Sequence, residues 1–176
     1  MLTTELKKLM LQSEIVSIER DCHDEELTGI LCDTNYHITS MHLYTNEGEY
    51  DGFTVFETNQ ITEVFWGNRE HKAIDYLVKK NGVKKNPKLT AKEFHEIMIE
   101  LNAHFSSLCF HPVNCEDKFD IAVIKKHDEE WLKLRTYGVK KSLSRLNKLI
   151  LKETISRIVV DSPYQNQIVE LHAAKL

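Results

Sequence analysis

The strongest constraint on this chain of 176 residues is that it nearly repeats itself at an offset of 93–94 residues. Thr28–Met41 superposes on Ile121–Leu134, placing Gly29 on Ala122, Ile30 on Val123, Leu31 on Ile124, Ile38 on Trp131 and Met41 on Leu134. At offset 94, Val55–Val64 lies on Leu149–Ile158, and Ile74 and Leu77 fall on Ile168 and Leu171. Several blocks matching in order at a nearly constant offset point to one unit built twice.

The unit has a readable order. Leu2, Leu6 and Met10 recur at helical spacing at the start of the first copy. Phe94, Ile97, Met98, Leu101 and Phe105 do so in the second, behind a predicted capping box, Thr90-Ala-Lys-Glu93. Strands are expected at Ile15–Glu19, Thr28–Cys32, Ile38–Tyr44, Phe53–Phe56 and Ile61–Trp66, from alternation and turn-rich breaks. Thr58-Asn-Gln suits a single helical turn before the last strand. A short helix carrying Ala73, Ile74 and Leu77 closes copy one, and Tyr164, Ile168 and Leu171 close copy two. The polar stretch Lys79–Leu89, broken by Gly82 and Pro87, reads as a domain boundary. The expected domains are therefore 1–80 and 88–176, with 81–87 as linker. Five short strands must dispose of their edges, and closure does this. The expectation is a mainly β, α+β protein of two tandem five-stranded closed barrels, each preceded by an α-helix.

This pattern resembles the Sm-like, SH3-like small β-barrel. The Thr28–Leu43 and Phe53–Trp66 blocks carry the resemblance, with their counterparts in copy two. Gly48-Glu-Tyr-Asp-Gly52 is also similar to a segment in a group of bacterial proteins of uncharacterised function. The classical Sm signature has an Asp-x-apolar-Asn step and an Arg-Gly-Asn/Asp step, which together build a nucleotide pocket. This chain reads Tyr36-His-Ile-Thr-Ser at the first, and Glu57-Thr-Asn-Gln and Leu151-Lys-Glu-Thr at the second. The resemblance therefore implies the barrel and not the pocket, and a fold alone does not license a function.

Charge separates the copies. Residues 1–80 hold 7 Lys and Arg against 15 Asp and Glu, while residues 81–176 hold 16 against 12. An acidic unit is joined to a basic one. The basic excess concentrates at Lys133, Arg135, Lys140, Lys141, Arg145, Lys148, Lys152 and Arg157, opposed there only by Glu153. Such a cluster suits phosphate neutralisation, with Trp131 and Tyr137 as stacking faces. It suits equally a solvated face, or a surface docking on an acidic partner.

Enzymatic signals are weak. No Gly-x-Ser-x-Gly elbow or Gly-rich phosphate loop is present. Cys109-x-His111-x3-Cys115 is the best metal-like cluster, but no second pair has matching spacing, and Cys109 alternates away from Phe110. His37, His42, His71 and His104 are scattered and read as surface or half-buried. The run Asp21–Glu26 lacks the ligand spacing of a calcium loop and reads as an exposed loop. Glu47, Glu49 and Asp51 read as a solvated turn. Tyr44, Tyr50, Phe53, Phe56, Phe65 and Trp66 read as barrel core and interface. Cys22, Cys32, Cys109 and Cys115 form no CxxC pair and read as reduced thiols of a cytosolic protein. No signal peptide or membrane span is evident. The expectation is a non-enzymatic binding protein without metal or cofactor, taking protein partners or self-associating. The alternative is an RNA-binding regulator using the basic segment.

Overall fold

In the computed structural model, which describes residues 1–21, 23–113, 115, 117–141 and 145–176, the first half runs α1 (Leu2–Gln12), β1 (Ile15–Arg20), β2 (His23–Thr34), β3 (Ile38–Tyr44), β4 (Tyr50–Glu57), a 3-10 turn (Thr58–Gln60), β5 (Ile61–Trp66) and α2 (Arg69–Asn81). The second runs α3 (Phe94–His104), β6 (Leu108–Pro112), β7 (Asp120–His127), β8 (Trp131–Thr136), β9 (Asn147–Leu151), a 3-10 turn (Lys152–Thr154), β10 (Ile155–Val160) and α4 (Pro163–Ala173). Local chemistry sets the ends. Ser13, in the left-handed region at φ 53°, closes α1 by donating its N–H to the Leu9 and Met10 carbonyls. Ser162 and Gln165 form a capping box on α4, with Pro163 at its first position. The box expected at Thr90–Glu93 is not formed. Glu93 precedes α3 without a side-chain cap, and Thr90 instead donates its N–H and Oγ to Glu100.

The closed barrels do not form. All ten strands join one open antiparallel sheet in the order β5-β1-β2-β3-β4-β10-β6-β7-β8-β9. In each half the fifth strand pairs with the first, but the fourth never closes on its own half. β4 pairs instead with β10, through Phe53↔Val160, Thr54↔Val159, Val55↔Ile158 and Phe56↔Arg157. Pairing across the halves satisfies the same backbone groups that closure would have satisfied.

Two cores flank the first half. α1 packs Leu6 and Leu9 on Val16, Ile18, Leu27, Met41 and Phe56, while α2 packs Ile74 and Val78 on Ile15, Ile30 and Tyr44. Each such fully buried aliphatic side chain contributes about 1.5–3 kcal/mol. The largest core spans the junction. There α3 presents Phe94, Ile97, Met98 and Leu101 to Leu108, Phe110, Leu132 and Ile158, and also to Ile38, Phe53 and Val55 of the first half. α4 covers the opposite face, over Cys109, Ile121 and Val159. Cys109 and Phe110 thus face opposite ways, as their alternation requires.

Register shifts mark β2 between Leu31 and Asp33 and β7 between Ile124 and Lys126, which bend both strands. At Gly29 β2 runs so close to β3 that a Cβ would lie 1.8 Å from the His42 carbonyl oxygen. The run Asp21 to Glu26 is a loop only at its start: Asp21 lies in a turn, β2 begins at His23 and carries Asp24, Glu25 and Glu26 as exposed residues, and Cys22 lies outside the described residues. No helix among the described residues is long and apolar enough to cross a membrane.

Candidate functional site

The basic segment is divided among several environments. Lys133 is exposed and Arg135 half-buried on the outward face of β8, beside exposed Trp131. Lys140 and Lys141 lie in the following turn, where Lys140 bonds Gln167 and sits over the Tyr164 ring at 5.3 Å. Ser142, Leu143 and Ser144 lie outside the described residues. Arg145 stacks on Tyr137 at 4.4 Å and donates to the Thr136 carbonyl. Lys148 pairs with Asp120 at 2.5 Å, and buried Lys152 donates to the Asp128 carbonyl. Arg157 lies within β10, its side chain only 3% exposed, and pairs with Glu25 at 2.7 Å. Five of these eight side chains are therefore engaged by partners within the chain, a different matter from eight solvated cations.

Arg157 anchors a polar cluster at the junction. A cavity of about 220 Å³ there is lined by Glu25, Asp51, Cys109, His111, Arg157 and Tyr164, among others. Asp51 is on β4 rather than in a turn but is exposed, as expected; partial burial of its carboxyl raises the pKa while the Arg157 charge opposes the shift. Cys109 lies 3.4 Å from His111 Nε2, the spacing of a thiol–imidazole pair. Burial, however, pushes the Cys109 thiol up to about 12, outweighing the Arg157 charge. A thiol held protonated is no nucleophile.

A second pair, Ser17 Oγ and His71 Nε2 at 3.0 Å, has the spacing of a hydrolase dyad. Both residues are buried, and His71 Nδ1 has no partner to orient the ring. His42 is likewise buried, so two of the four scattered histidines belong to the interior; His37 and His104 are exposed. Among the described residues no three His, Cys, Asp or Glu side chains are placed to hold a metal ion.

The sheet ends present the more informative surfaces. β3 is buried along its whole length, and so is β4 from Gly52 to Phe56. β10 is buried throughout, with β4 on one side and β6 on the other. Among the described residues the terminal strands pair on one side only. β9 pairs only with β8 and leaves Leu149 64% exposed, with Leu146 just before it at 60% and Trp131 beside it at 42%. β5 pairs only with β1 and leaves Trp66 45% exposed, with Thr62 and Glu63 also exposed. Leu149 is open where Val55, its counterpart in the expected repeat, is buried, and that apolar position is the sequence signal for it as a site residue.

No known family, curated protein or solved structure matches the chain.

Proposed function

We propose that this is a cytosolic, non-enzymatic binding protein whose partner is a second copy of itself, joined end to end through β9 of one chain and β5 of the next. The observation that carries the reading is the contrast between junction and ends. β4 and β10 lie deep in the sheet, while β9 and β5, their counterparts at an offset of 94 in sequence, end it with exposed apolar side chains. An uncovered strand edge is a template for pairing with another chain.

The internal junction supplies the register. Carrying its four pairs across the offset gives Trp66↔Asn147, Phe65↔Lys148, Val64↔Leu149 and Glu63↔Ile150 between chains. Leu149 and Trp131 then lie against the α1 end of the neighbour, where Leu2 is 38% exposed, as Val55 and Ile38 lie against α3 within the chain. Glu63 and Lys148 become diagonal neighbours on one face, a favourable cross-strand pair. The acidic half thus offers the edge that the basic half receives. The contact is heterologous, so successive additions form a ring or an open filament.

The test is oxidative cross-linking of the Val64→Cys/Leu149→Cys double variant, with each single variant as control for the native cysteines. A ladder of disulfide-linked multimers from the double variant alone is expected. The wild-type chain is expected to associate at low salt and dissociate towards 1 M, where the Debye length falls to about 3 Å. A monomer at every concentration and salt, with no ladder, overturns the reading. Pull-down from cell extract with and without nuclease tests the alternative, RNA held on the basic segment: a nuclease-sensitive catch with no self-association favours it.

A further inference from the structure

Residues 83–91 join the halves without regular secondary structure, yet they cross the outer face of β3 and β4 on specific contacts. The Lys84 N–H donates to Tyr44 Oη at 3.3 Å. Lys84 Nζ lies over the Tyr50 ring at 4.4 Å and 3.7 Å from Asp161. Asn86 Oδ1 meets His42 Nε2 at 3.1 Å. At the far end Thr90 and Ala91 are held by the Glu100 carboxylate, and Lys92 by Asp33 at 3.1 Å. Beneath the strap is a cavity of about 310 Å³ with Ile38, Phe53, Leu89 and Ile97 among its walls.

His42 is the only titratable side chain among these anchors with an ordinary pKa near neutrality. It is buried on β3 between the rings of Tyr50 and Phe53. Because Asn86 Oδ1 is an acceptor, Nε2 carries the proton, and Nδ1 is the position left to protonate. Nδ1 is buried and has no hydrogen-bond partner among the described residues, while Asn86 and the Lys85 main chain, both on the strap, favour a charged ring. Of the groups facing the ring, Lys84 opposes a second positive charge and Asp161 favours it; Tyr44, Tyr50 and Cys32 are neutral at pH 7. Burial outweighs the favourable contacts and lowers the His42 pKa.

We propose that residues 83–88 form an acid-released strap: protonation of His42 expels the ring from beneath Asn86, lifts the strap and opens the cavity below it, whose walls are part apolar and part polar. The linkage is direct. A ring that charges at its ordinary value of 6.5 when the strap is open, and less readily when it is closed, favours opening by at most tenfold per pH unit below 6.5. Between pH 7.5 and 5.0 the opening equilibrium rises as much as thirtyfold, or about 2 kcal/mol.

The experiment is hydrogen exchange of the full chain, read by mass spectrometry and corrected for the intrinsic pH dependence of exchange. Amides of residues 83–88 are expected to lose protection at pH 5 by up to that factor, while those of β3 and β4 keep theirs. His42→Gln, uncharged at both pH values, is expected to show no such difference. An unchanged wild-type strap at pH 5 overturns the proposal. So does equal acid release in His42→Gln, which assigns the effect to a carboxylate such as Asp161. Should that variant not fold, the wild-type imidazole is followed by NMR, and its titration must coincide with loss of strap protection. Titration of the ring without strap release refutes the device.

Discussion

Replacing Gly29 with Ala tests the close approach of β2 to β3. A Cβ built there lies 1.8 Å from the His42 carbonyl oxygen and 3.1 Å from Leu43 Cα, both backbone atoms that cannot rotate away. Ordinary contact begins near 3.4 Å, so β2 and β3 must separate locally by up to the difference, 1.6 Å. A ladder hydrogen bond of about 2.9 Å does not survive that displacement. Two lost bonds around Gly29↔Leu43 and Ile30↔His42 cost about 1–3 kcal/mol net. Overpacking against the buried neighbours adds about 1–3 kcal/mol. The expected loss is about 3 kcal/mol, which lowers the melting temperature by roughly 6–12 °C for a chain of this size. Urea and thermal unfolding by circular dichroism measure it. Gly82→Ala is the comparison, because that glycine has φ +94° and nothing within 4 Å of its Cβ, leaving only backbone strain. A Gly29→Ala chain within 0.5 kcal/mol of wild type would refute the close approach.

Other outcomes follow from single environments. The Asp51 pKa is raised by partial burial, so its ionisation opposes folding, but the residue is exposed and solvent screens the effect. Stability is fully retained below the ordinary value of 3.8 and falls as pH rises through the folded value, so Asp51→Asn is expected to gain only slightly at pH 7 and nothing at pH 3; urea midpoints at the two pH values decide it. Burial pushes the thiols of Cys32 and Cys109 up to about 12, so both are expected to resist iodoacetamide at pH 8 until the chain unfolds, as peptide mapping would show. Ser162→Ala removes the α4 capping box and is expected to cost about 1 kcal/mol in equilibrium unfolding, with exchange fastest in the first turn of α4.

Much of the local structure was legible in the residues. Ile38–Tyr44 and Ile61–Trp66 are strands with the expected bounds, and Thr58–Gln60 is the expected helical turn between strands. Periodicity reports which residues share a face, and it placed Cys109 and Phe110 on opposite sides. It says less about how many faces are covered. β3 is buried on both because α1 lies on one side and α3 with the strap on the other, which made His42 an interior residue. The apparent capping box failed for a similar reason: Glu100, two helical turns into α3, reaches back to Thr90 and Ala91 and replaces the local cap.

The candidate surfaces divide in the same way. The charge difference between the halves is a fact of sequence. That Arg157 belongs to the interior, while Lys133 belongs to the surface, depends on which strands lie beside β10 and β8. Strand pairing is made by backbone groups common to all residues, between segments about a hundred positions apart, and it leaves no periodic mark on side chains. Most strand segments, their order and their apolar faces are local properties of the chain, because they follow from interactions within a few residues. That β4 meets β10 rather than closing a barrel, and so which edges are buried and which remain open, belongs to the tertiary arrangement.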